Sequence, residues 1–174
     1  LEAAKIARGA GALISFDVNY RPTLWRSPEE AYDQVMATVP HVNLLKVNEV
    51  ELALLAGSAD LDASSQALLE KGPDLVVVTL GPDGSYFRVA AGGEFIPPFK
   101  VQTVDAVGCG DAFIAGLLFQ LVVGADWRDQ LSLARMRQNL RYANAVGALT
   151  ALTQGVIPAL PTAAQVEEFL SQQN

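Results

Sequence analysis

The run LVVVT, from Leu75 to Thr79, is the feature that most constrains the fold of this 174-residue chain. Its residues are mostly β-branched and apolar without alternation, which is typical of a strand covered on both faces in a parallel sheet. Two further apolar segments precede it, at 12–18 and 42–48, and segments with helix-capping residues lie between them. Because strands and helices alternate, we predict an α/β fold with a mostly parallel sheet and right-handed crossovers.

Capping and terminating residues mark the predicted helices. Ser27 with Glu30 forms a predicted capping box, and Thr162 with Gln165 forms another before a terminal helix. Asp62 is the predicted cap of a third helix. The predicted helices cover residues 1–9, 26–39, 48–57, 62–72, 111–124, a pattern with breaks over 129–153, and the segment after Thr162. The segments 85–90 and 93–99 are predicted to form a β-hairpin or a meander after a turn at GPDG.

Composition narrows the class of protein. Half of the residues (51%) are apolar and the net charge is −7, which predicts one folded domain and no phosphate-neutralising basic surface for nucleic acid or membranes. The apolar run 112–123 is too short to span a bilayer. The single cysteine, Cys109, excludes an internal disulfide and a cysteine-cluster metal site, and it fits a cytoplasmic protein.

The segment VDAVGCGDAF, residues 104–113, is predicted to form an anion site. Gly108 and Gly110 permit backbone conformations that other residues avoid, so successive N–H groups can line a concave turn. The same N–H groups open the predicted helix near Asp111, and the helix dipole adds positive potential. A phosphoryl group fits this site, and Asp111 can accept the proton of an attacking hydroxyl.

Two simpler interpretations stay open at this turn. Asp111 is a residue type that commonly caps helices, so it can serve as the N-cap of an apolar helix and nothing more. Cys109 fits a small packed residue better than a nucleophile, because the only histidine, His41, is far away in sequence.

Polar residues follow each of the three predicted parallel strands. These clusters are Asp17–Arg21, Asn48–Glu51 and Thr79–Gly84. In open α/β sheets ligands bind beyond the carboxyl ends of the strands, so we expect the three clusters to contribute to one binding region. Taken alone, Asn48 and Glu51 also form a capping box.

The segment DAVGCGDAFIAGLL resembles the second signature of the ribokinase-like (pfkB) carbohydrate kinases, usually Asp-Thr-x-Gly-Ala-Gly-Asp. Ala106 and Cys109 depart from that signature, but both residues are small. The resemblance implies that Asp111 is the catalytic base and that the amides of Gly108, Cys109 and Gly110 form the anion hole. It also implies a monovalent-cation site, with K⁺ as the ion, beside Asp105.

Other segments extend the resemblance and imply an ATP site with Mg²⁺. KVNEVE resembles the family's Asn-x-x-Glu motif, in which Asn48 approaches the nucleotide and Glu51 orders water around Mg²⁺. VVVTLGPDG resembles the nucleotide segment, in which Thr79, Gly81 and Gly84 line the ATP site. YANAVGAL resembles the helix beside the adenine, with Asn144 as the contact, although an asparagine there also fits packing.

The segment FDVNYRPTLW points to the substrate. Asp17, Asn19, Arg21 and Trp25 resemble a pattern of fructokinases and 2-keto-3-deoxygluconate kinases. Arg21 is suited to a phosphate or a substrate carboxylate, with a surface salt bridge as the alternative. Trp25 fits packing better than stacking on a ligand.

The resemblance covers residues 1–174 and corresponds to the C-terminal, nucleotide-binding part of such a kinase. It implies a ribokinase-like, Rossmann-type three-layer sandwich that is truncated on its N-terminal side, and a sheet edge there favours a homodimer. The implied function is ATP-dependent phosphorylation of a sugar hydroxyl. The alternatives are a nucleotide-binding remnant without turnover and a nucleoside kinase of the same family. A nicotinamide-dependent oxidoreductase is discounted because its Gly-x-Gly-x-x-Gly pattern is missing.

Overall fold

The computed structural model describes residues 2–123 and 126–173, which form two compact units. The first unit contains the residues up to Leu80 together with Tyr86–Glu94. The second contains Gly81–Ser85 and the residues from Phe95 onward. The two units are described separately.

The secondary structure alternates between strands and helices, as the sequence predicts. The five strands are β1 (Ser15–Asp17), β2 (Leu44–Asn48), β3 (Leu75–Thr79), β4 (Ser85–Val89) and β5 (Gly92–Ile96). The described helices are α1 (Glu2–Gly9), α2 (Pro28–Thr38), α3 (Glu49–Ala56), α4 (Leu61–Leu69), α5 (Cys109–Val122), α6 (Leu133–Thr150) and α7 (Ala163–Ser171). No helix among these residues is both long and apolar enough to cross a membrane.

The strands form one sheet in the order β1-β2-β3-β4-β5. β1, β2 and β3 are parallel, with Asp17 opposite Lys46 and Asn48 opposite Thr79. The β3–β4 and β4–β5 connections are too short for parallel crossovers, so β4 and β5 form the predicted hairpin extension. The carboxyl ends of β1, β2 and β3 therefore lie at one edge of the sheet.

The core of the first unit surrounds β2 and β3. Consecutive side chains on both strands are at most 1% exposed, for example Leu44 and Leu45 on β2 and Val76 and Val77 on β3. Both faces of these strands are therefore covered, as the β-branched run predicts. Residues from α2, α3 and α4 complete the apolar cluster, among them Val35, Leu52, Leu55 and Leu68.

The second unit is built from α5, α6 and α7. A Cβ on Gly116 would lie 2.8 Å from a Val146 methyl group, so glycine permits the close approach of α5 to α6. Ala112, Ala145 and Val166 are buried in the small cluster between these helices. The rings of Phe99 and Phe169 meet edge to face, with centroids 5.1 Å apart.

Several helix boundaries differ from their predictions. α5 begins at Cys109 with Gly108 as its N-cap, so Asp111 is the third helical residue and not the cap. Asp60, rather than Asp62, caps α4. The Ser27 hydroxyl accepts from the Glu30 N–H as predicted, but the Glu30 carboxylate accepts from the N–H of Arg26 instead of closing a capping box.

Other boundaries agree with the sequence. The capping box of α3, formed by Asn48 and Glu51, and that of α7 are both complete, and Gly57 ends α3 with a positive φ of 72°. The segment predicted helical over 129–153 is a short 3₁₀ turn, Trp127–Gln130, followed by α6.

The first strand is shorter than predicted: β1 is only three residues long, against the predicted range 12–18. The stop predicted at Gly124 lies outside the described residues.

Candidate active site

The turn that precedes α5 is braced from a distant segment of the second unit. The N–H groups of Val104 and Asp105 both donate to the Ala151 carbonyl, at 2.8 and 3.2 Å. The Asp105 carboxylate accepts from the N–H of Val107 and from the N–H of Gly155, each at 3.0 Å. These backbone donors, Val107 first, lower the pKa of Asp105 below its usual value, so the carboxylate is ionised at neutral pH.

Gly108 is required at this turn for two reasons. Its φ is +82°, in the left-handed region that favours glycine. A Cβ at this position would also lie 2.6 Å from Cγ1 of Val156, well inside a normal contact. The glycine therefore fixes the turn through conformation and packing before any ligand is considered.

The start of α5 presents unpaired hydrogen-bond donors. The N–H of Ala112 donates to Gly108 and the N–H of Cys109 donates to Ala106, at 2.8 and 3.3 Å. No acceptor within the described part of the chain takes the N–H groups of Gly108, Gly110 or Asp111. Such groups at the positive end of a 14-residue helix attract an anion.

The Asp111 carboxylate stands exposed in this first helical turn. No hydrogen bond or ion pair joins it to another described residue. Because Gly108 is the N-cap, the interpretation of Asp111 as the helix cap is wrong. The carboxylate is free to accept a proton from a bound molecule.

Cys109 is a packed residue in the structure. Its thiol lies within 3.7 Å of the Asp105 carbonyl, and burial, followed by the charge of Asp105, raises the pKa of the thiol. A raised pKa leaves the thiol protonated and a poor nucleophile, in agreement with the simpler sequence interpretation. Its own N–H already donates within the turn, so its share in the anion hole stays a prediction.

Glu51 joins two of the strand-end clusters in the first unit. Its side chain is 1% exposed, and Oε2 accepts from the N–H of Asn48 at 2.8 Å. Oε1 accepts from the N–H of Tyr20 at 2.6 Å. The capping role is confirmed, and the contact with Tyr20, 31 residues away, was not predicted.

Asp17 pairs with a lysine that the sequence interpretation did not single out. Nζ of Lys46 lies 3.1 Å from both carboxylate oxygens, and the Lys46 side chain is buried. Asn19 is exposed with a positive φ of 46°. Arg21 is exposed, and its guanidinium donates to the carbonyl of Tyr20 at 3.1 Å. The surface salt bridge considered for Arg21 is not formed with any described residue.

The nucleotide segment after β3 ends the strand and turns tightly. The hydroxyl of Thr79 donates to the Val47 carbonyl at 3.4 Å, beside Asn48 in the register. Gly81 has a φ of +56°, and its carbonyl accepts from the N–H of Gly84. A Cβ on Gly84 would lie 2.4 Å from the Ile96 carbonyl oxygen, so this glycine serves packing within the second unit.

Asn144 has a structural role on α6. Its amide nitrogen donates to the carbonyls of Ile96 and Pro97, at 3.3 and 3.1 Å, and the side chain is 9% exposed. The packing interpretation is therefore correct. Contact with an adenine stays a prediction, and it would use Oδ1, because the amide nitrogen is already engaged.

The structure gathers the predicted residues into two groups. In the first unit, the clusters after β1 and β2 meet at one sheet edge through Glu51, and Thr79 lies beside Asn48 in the strand register. Gly81 and Gly84 belong to the second unit. In the second unit, Asp105, Gly108 and Asp111 share the turn before α5. Lys46 is the functional candidate that the sequence did not reveal, and its only signal was a charged residue inside an apolar strand. No cluster of three or more metal-ligating side chains occurs within the described ranges.

A family model described as pfkB family carbohydrate kinase matches residues 1–163, so the chain belongs to this family. The predicted resemblance is thereby confirmed. Fructokinase-1 from Zea mays is 38% identical over 176 residues, covering 99% of this chain and 53% of its own length.

Two solved structures confirm the ribokinase-like α/β fold. A double-mutant fructokinase from Vibrio cholerae, bound to fructose, ADP and potassium, has a TM-score of 0.88 and 33% identity, over 97% of this chain and 54% of its own. Aminoimidazole riboside kinase from Salmonella enterica, with its riboside and an ATP analog, has a TM-score of 0.86 and 33% identity. The match covers 98% of this chain and 56% of the kinase chain. The chain spans about half the length of the curated relatives that it matches first.

Proposed function

We propose that this chain carries the ATP-dependent phosphoryl-transfer machinery of a sugar kinase whose acceptor is fructose or 2-keto-3-deoxygluconate. The observation that carries the proposal is the start of α5, where three unpaired N–H groups stand beside the unpaired carboxylate of Asp111. Donors for an anion and an acceptor for a proton are the two requirements of phosphoryl transfer to a hydroxyl.

In this mechanism the acceptor hydroxyl oxygen forms a bond to the γ-phosphorus while the bond to the β-phosphate oxygen breaks. Asp111 receives the hydroxyl proton, and ADP leaves with the electron pair. The N–H groups of Gly108, Gly110 and Asp111 stabilise negative charge on the moving phosphoryl group, and Cys109 contributes its amide if its bond to Ala106 opens. The fixed turn keeps these donors in place without reorganisation.

The charged residues of the two units suit two cations. Mg²⁺ would neutralise phosphate charge when it is bound. Both oxygens of Glu51 already accept backbone N–H groups, which fits an outer-sphere role through water better than direct ligation. Asp105 stays ionised against the turn, which fits an electrostatic contribution to a K⁺ site.

The remaining predicted residues bind nucleotide and substrate. Asn48 and Thr79, adjacent in the β2–β3 register, approach the phosphates, and Gly81 and Gly84 line the nucleotide. Asn144 offers Oδ1 to the adenine. Asp17 and Asn19 shape the substrate loop and Arg21 binds an anionic group. The chain acts in the cytoplasm in this proposal.

Two alternatives have support of their own. The chain spans about half the length of the first curated relatives, which favours a nucleotide-binding piece without turnover of its own. The likeness to aminoimidazole riboside kinase favours a nucleoside acceptor. The pattern from Asp17 to Trp25 favours the sugar acceptors instead.

The test uses a coupled assay of ADP release by the 174-residue chain with fructose, 2-keto-3-deoxygluconate and a panel of nucleosides. Isothermal titration with ATP–Mg²⁺ accompanies the assay, for the wild-type chain and for Asp111→Asn. We expect ATP binding in both and a loss of about 10²–10⁴-fold in any turnover of the variant. The acceptor with the highest kcat/KM decides between sugar and nucleoside. Turnover that survives in Asp111→Asn would contradict the assigned base.

Binding without turnover would support the second alternative. We expect the chain alone to bind nucleotide weakly and to turn over little sugar. Absence of ATP–Mg²⁺ binding at millimolar concentration would refute the proposed function altogether.

A further inference from the structure

We propose that Lys46 and Glu51 are positioning residues that hold the loop 17–21, here named the Arg21 loop, so that Arg21 faces an anionic group of the ligand. The ligand group is a phosphate or a carboxylate, since both match the planar donors of a guanidinium. The inference rests on the proposed function for the role of Arg21. It adds Lys46 as a residue that would act without touching the ligand, and it gives Glu51 a second role beside its proposed outer-sphere contact with Mg²⁺.

The first anchor is the pair of Lys46 and Asp17. Both Asp17 oxygens lie 3.1 Å from Nζ, and the side chains are 8% and 20% exposed. Lys46 projects from β2 at the register position opposite Asp17, the last residue of β1. Because both groups are largely removed from water, either partner left alone would carry a desolvated charge. The pair therefore fixes the start of the loop.

The second anchor is the carboxylate of Glu51. It accepts from the N–H of Tyr20 at 2.6 Å, and the other oxygen accepts from Asn48 at the start of α3. With the side chain 1% exposed, these charge-assisted hydrogen bonds are shielded from water. Between the anchors lies Asn19, whose φ of 46° is the only positive value of a described non-glycine residue. The loop is thus held at both ends around a left-handed residue.

Arg21 follows directly on the second anchor. The backbone of Tyr20 donates to Glu51 through its N–H and accepts from the Arg21 guanidinium through its carbonyl at 3.1 Å. No described carboxylate pairs with Arg21, so its other N–H donors remain available. Because buried contacts hold the backbone of the loop that carries this exposed cation, less of the loop must be ordered when an external anion binds.

The test is a double-mutant cycle in the intact 174-residue chain. Lys46→Met and Glu51→Gln are each made alone and together with Arg21→Ala, and exposed Lys71→Met is the matched control. ATP–Mg²⁺ and 2-keto-3-deoxygluconate are titrated separately, with fructose as the acceptor that lacks a carboxylate, so the two sources of the anion are distinguished. Amide exchange at Tyr20, measured by NMR, reports the anchor without any ligand.

We expect Arg21→Ala to weaken one anionic ligand about tenfold or more and to leave fructose unchanged. Lys46→Met should weaken the same ligand, but by less than about twofold further when Arg21 is already alanine, because this anchor acts through Arg21. Glu51→Gln should obey the same limit for 2-keto-3-deoxygluconate, which is titrated without Mg²⁺. Amide protection at Tyr20 should fall in Glu51→Gln and persist in Lys71→Met. If Lys46→Met fails to fold, the neutral pair Asp17→Asn with Lys46→Met replaces it.

Additive losses in the cycle of Lys46→Met with Arg21→Ala, or unchanged protection of Tyr20 in Glu51→Gln, would overturn the inference while leaving the proposed function intact. If ATP–Mg²⁺ binds normally to Arg21→Ala and no carboxylate substrate is affected, Arg21 is no anion ligand and the inference fails. Absence of ATP–Mg²⁺ binding by the wild-type chain defeats the proposed function and, with it, the inference.

Discussion

At the scale of single residues, two turns of the candidate site contain glycines whose left-handed backbone disfavours other residues. Gly108 combines a positive φ with close packing against Val156. Gly81 has a similar backbone conformation, but no atom lies within 4 Å of the point that a Cβ would occupy there. Comparing the same substitution at the two glycines therefore separates the cost of backbone strain from the cost of a packing clash.

We predict that Gly108→Ala destabilises the chain more than Gly81→Ala does. Left-handed strain alone costs about 1–2 kcal/mol in the free energy of unfolding, and the contact with Val156 adds to it. Urea denaturation of the two variants measures the difference. Adding Val156→Ala to Gly108→Ala should recover part of the loss, and equal losses in both glycine variants would contradict the packing argument.

Asp105 should make the stability of the folded chain depend on pH in the acid range. Its pKa is lowered in the folded state, so the stability it contributes is fully present above the unfolded value of about 3.9 and disappears as pH falls through the lower folded value. Asp105→Asn should therefore be less stable than wild type at pH 7, and the gap should shrink below about pH 4. Urea denaturation across pH checks this, with exposed Asp33→Asn as control; a gap independent of pH would contradict it.

At the scale of elements, local signals predicted the structure well and distant contacts were missed. The capping box of α3 and the glycine that ends it lie within the helix and its caps, so the sequence reveals them. Asp60 and Asp62 are both residue types that cap helices, but Asp60 caps α4 while Asp62 bonds to Tyr86 and Arg88 on β4, which are distant in sequence. The pairs Lys46–Asp17 and Asp105–Gly155 join residues 29 and 50 positions apart, and no local pattern predicts them.

For α4, we predict that Asp60→Ala lowers the free energy of unfolding by about 1 kcal/mol, the usual cost of a lost N-cap. The Asp60 carboxylate accepts from the N–H of Ala63 at 2.7 Å, and alanine cannot. Denaturation of Asp60→Ala beside Asp33→Ala measures the effect. A loss no larger than that of the control would show that the cap contributes nothing.

The hydrogen bond that joins β4 to α4 should make the stability of the chain depend on pH in the alkaline range. Tyr86 donates to Asp62, which also pairs with Arg88, and burial together with this bond raises the pKa of Tyr86 to about 12. A raised pKa means that the stabilisation is present below the unfolded value of about 10 and is lost as pH rises toward 12. Wild type should therefore lose stability relative to Tyr86→Phe over that range. Thermal unfolding checks this, with exposed Tyr32→Phe as control, and parallel curves for wild type and Tyr86→Phe would refute it.

At the scale of the whole molecule, the sequence predicted the family and the fold class because its motifs are dense and local. The signature at 104–113 and the alternating strands and helices carried both. The geometry within each group of site residues came only from the structure, since Lys46 and the bond from Tyr20 to Glu51 depend on strand pairing.

The sheet also bears on association. β1 is its first strand, three residues long, and one side of it pairs with no described strand. Because an open edge can pair with another copy, we propose a homodimer and expect the sedimentation coefficient to rise with protein concentration. Lysine on an edge strand discourages such pairing, so Ser15→Lys should lower the association. A monomer at every concentration would contradict the dimer.

The bracing of the turn before α5 has a consequence for protein engineering. That turn is held by residues that follow the C-terminal end of α6, namely Ala151, Gly155 and Val156. Transplanting only the ten-residue motif into another scaffold would leave its bend unsupported. The smallest portable piece comprises two stretches of chain, and recombination libraries that cut between them would produce inactive hybrids even where every signature letter is preserved.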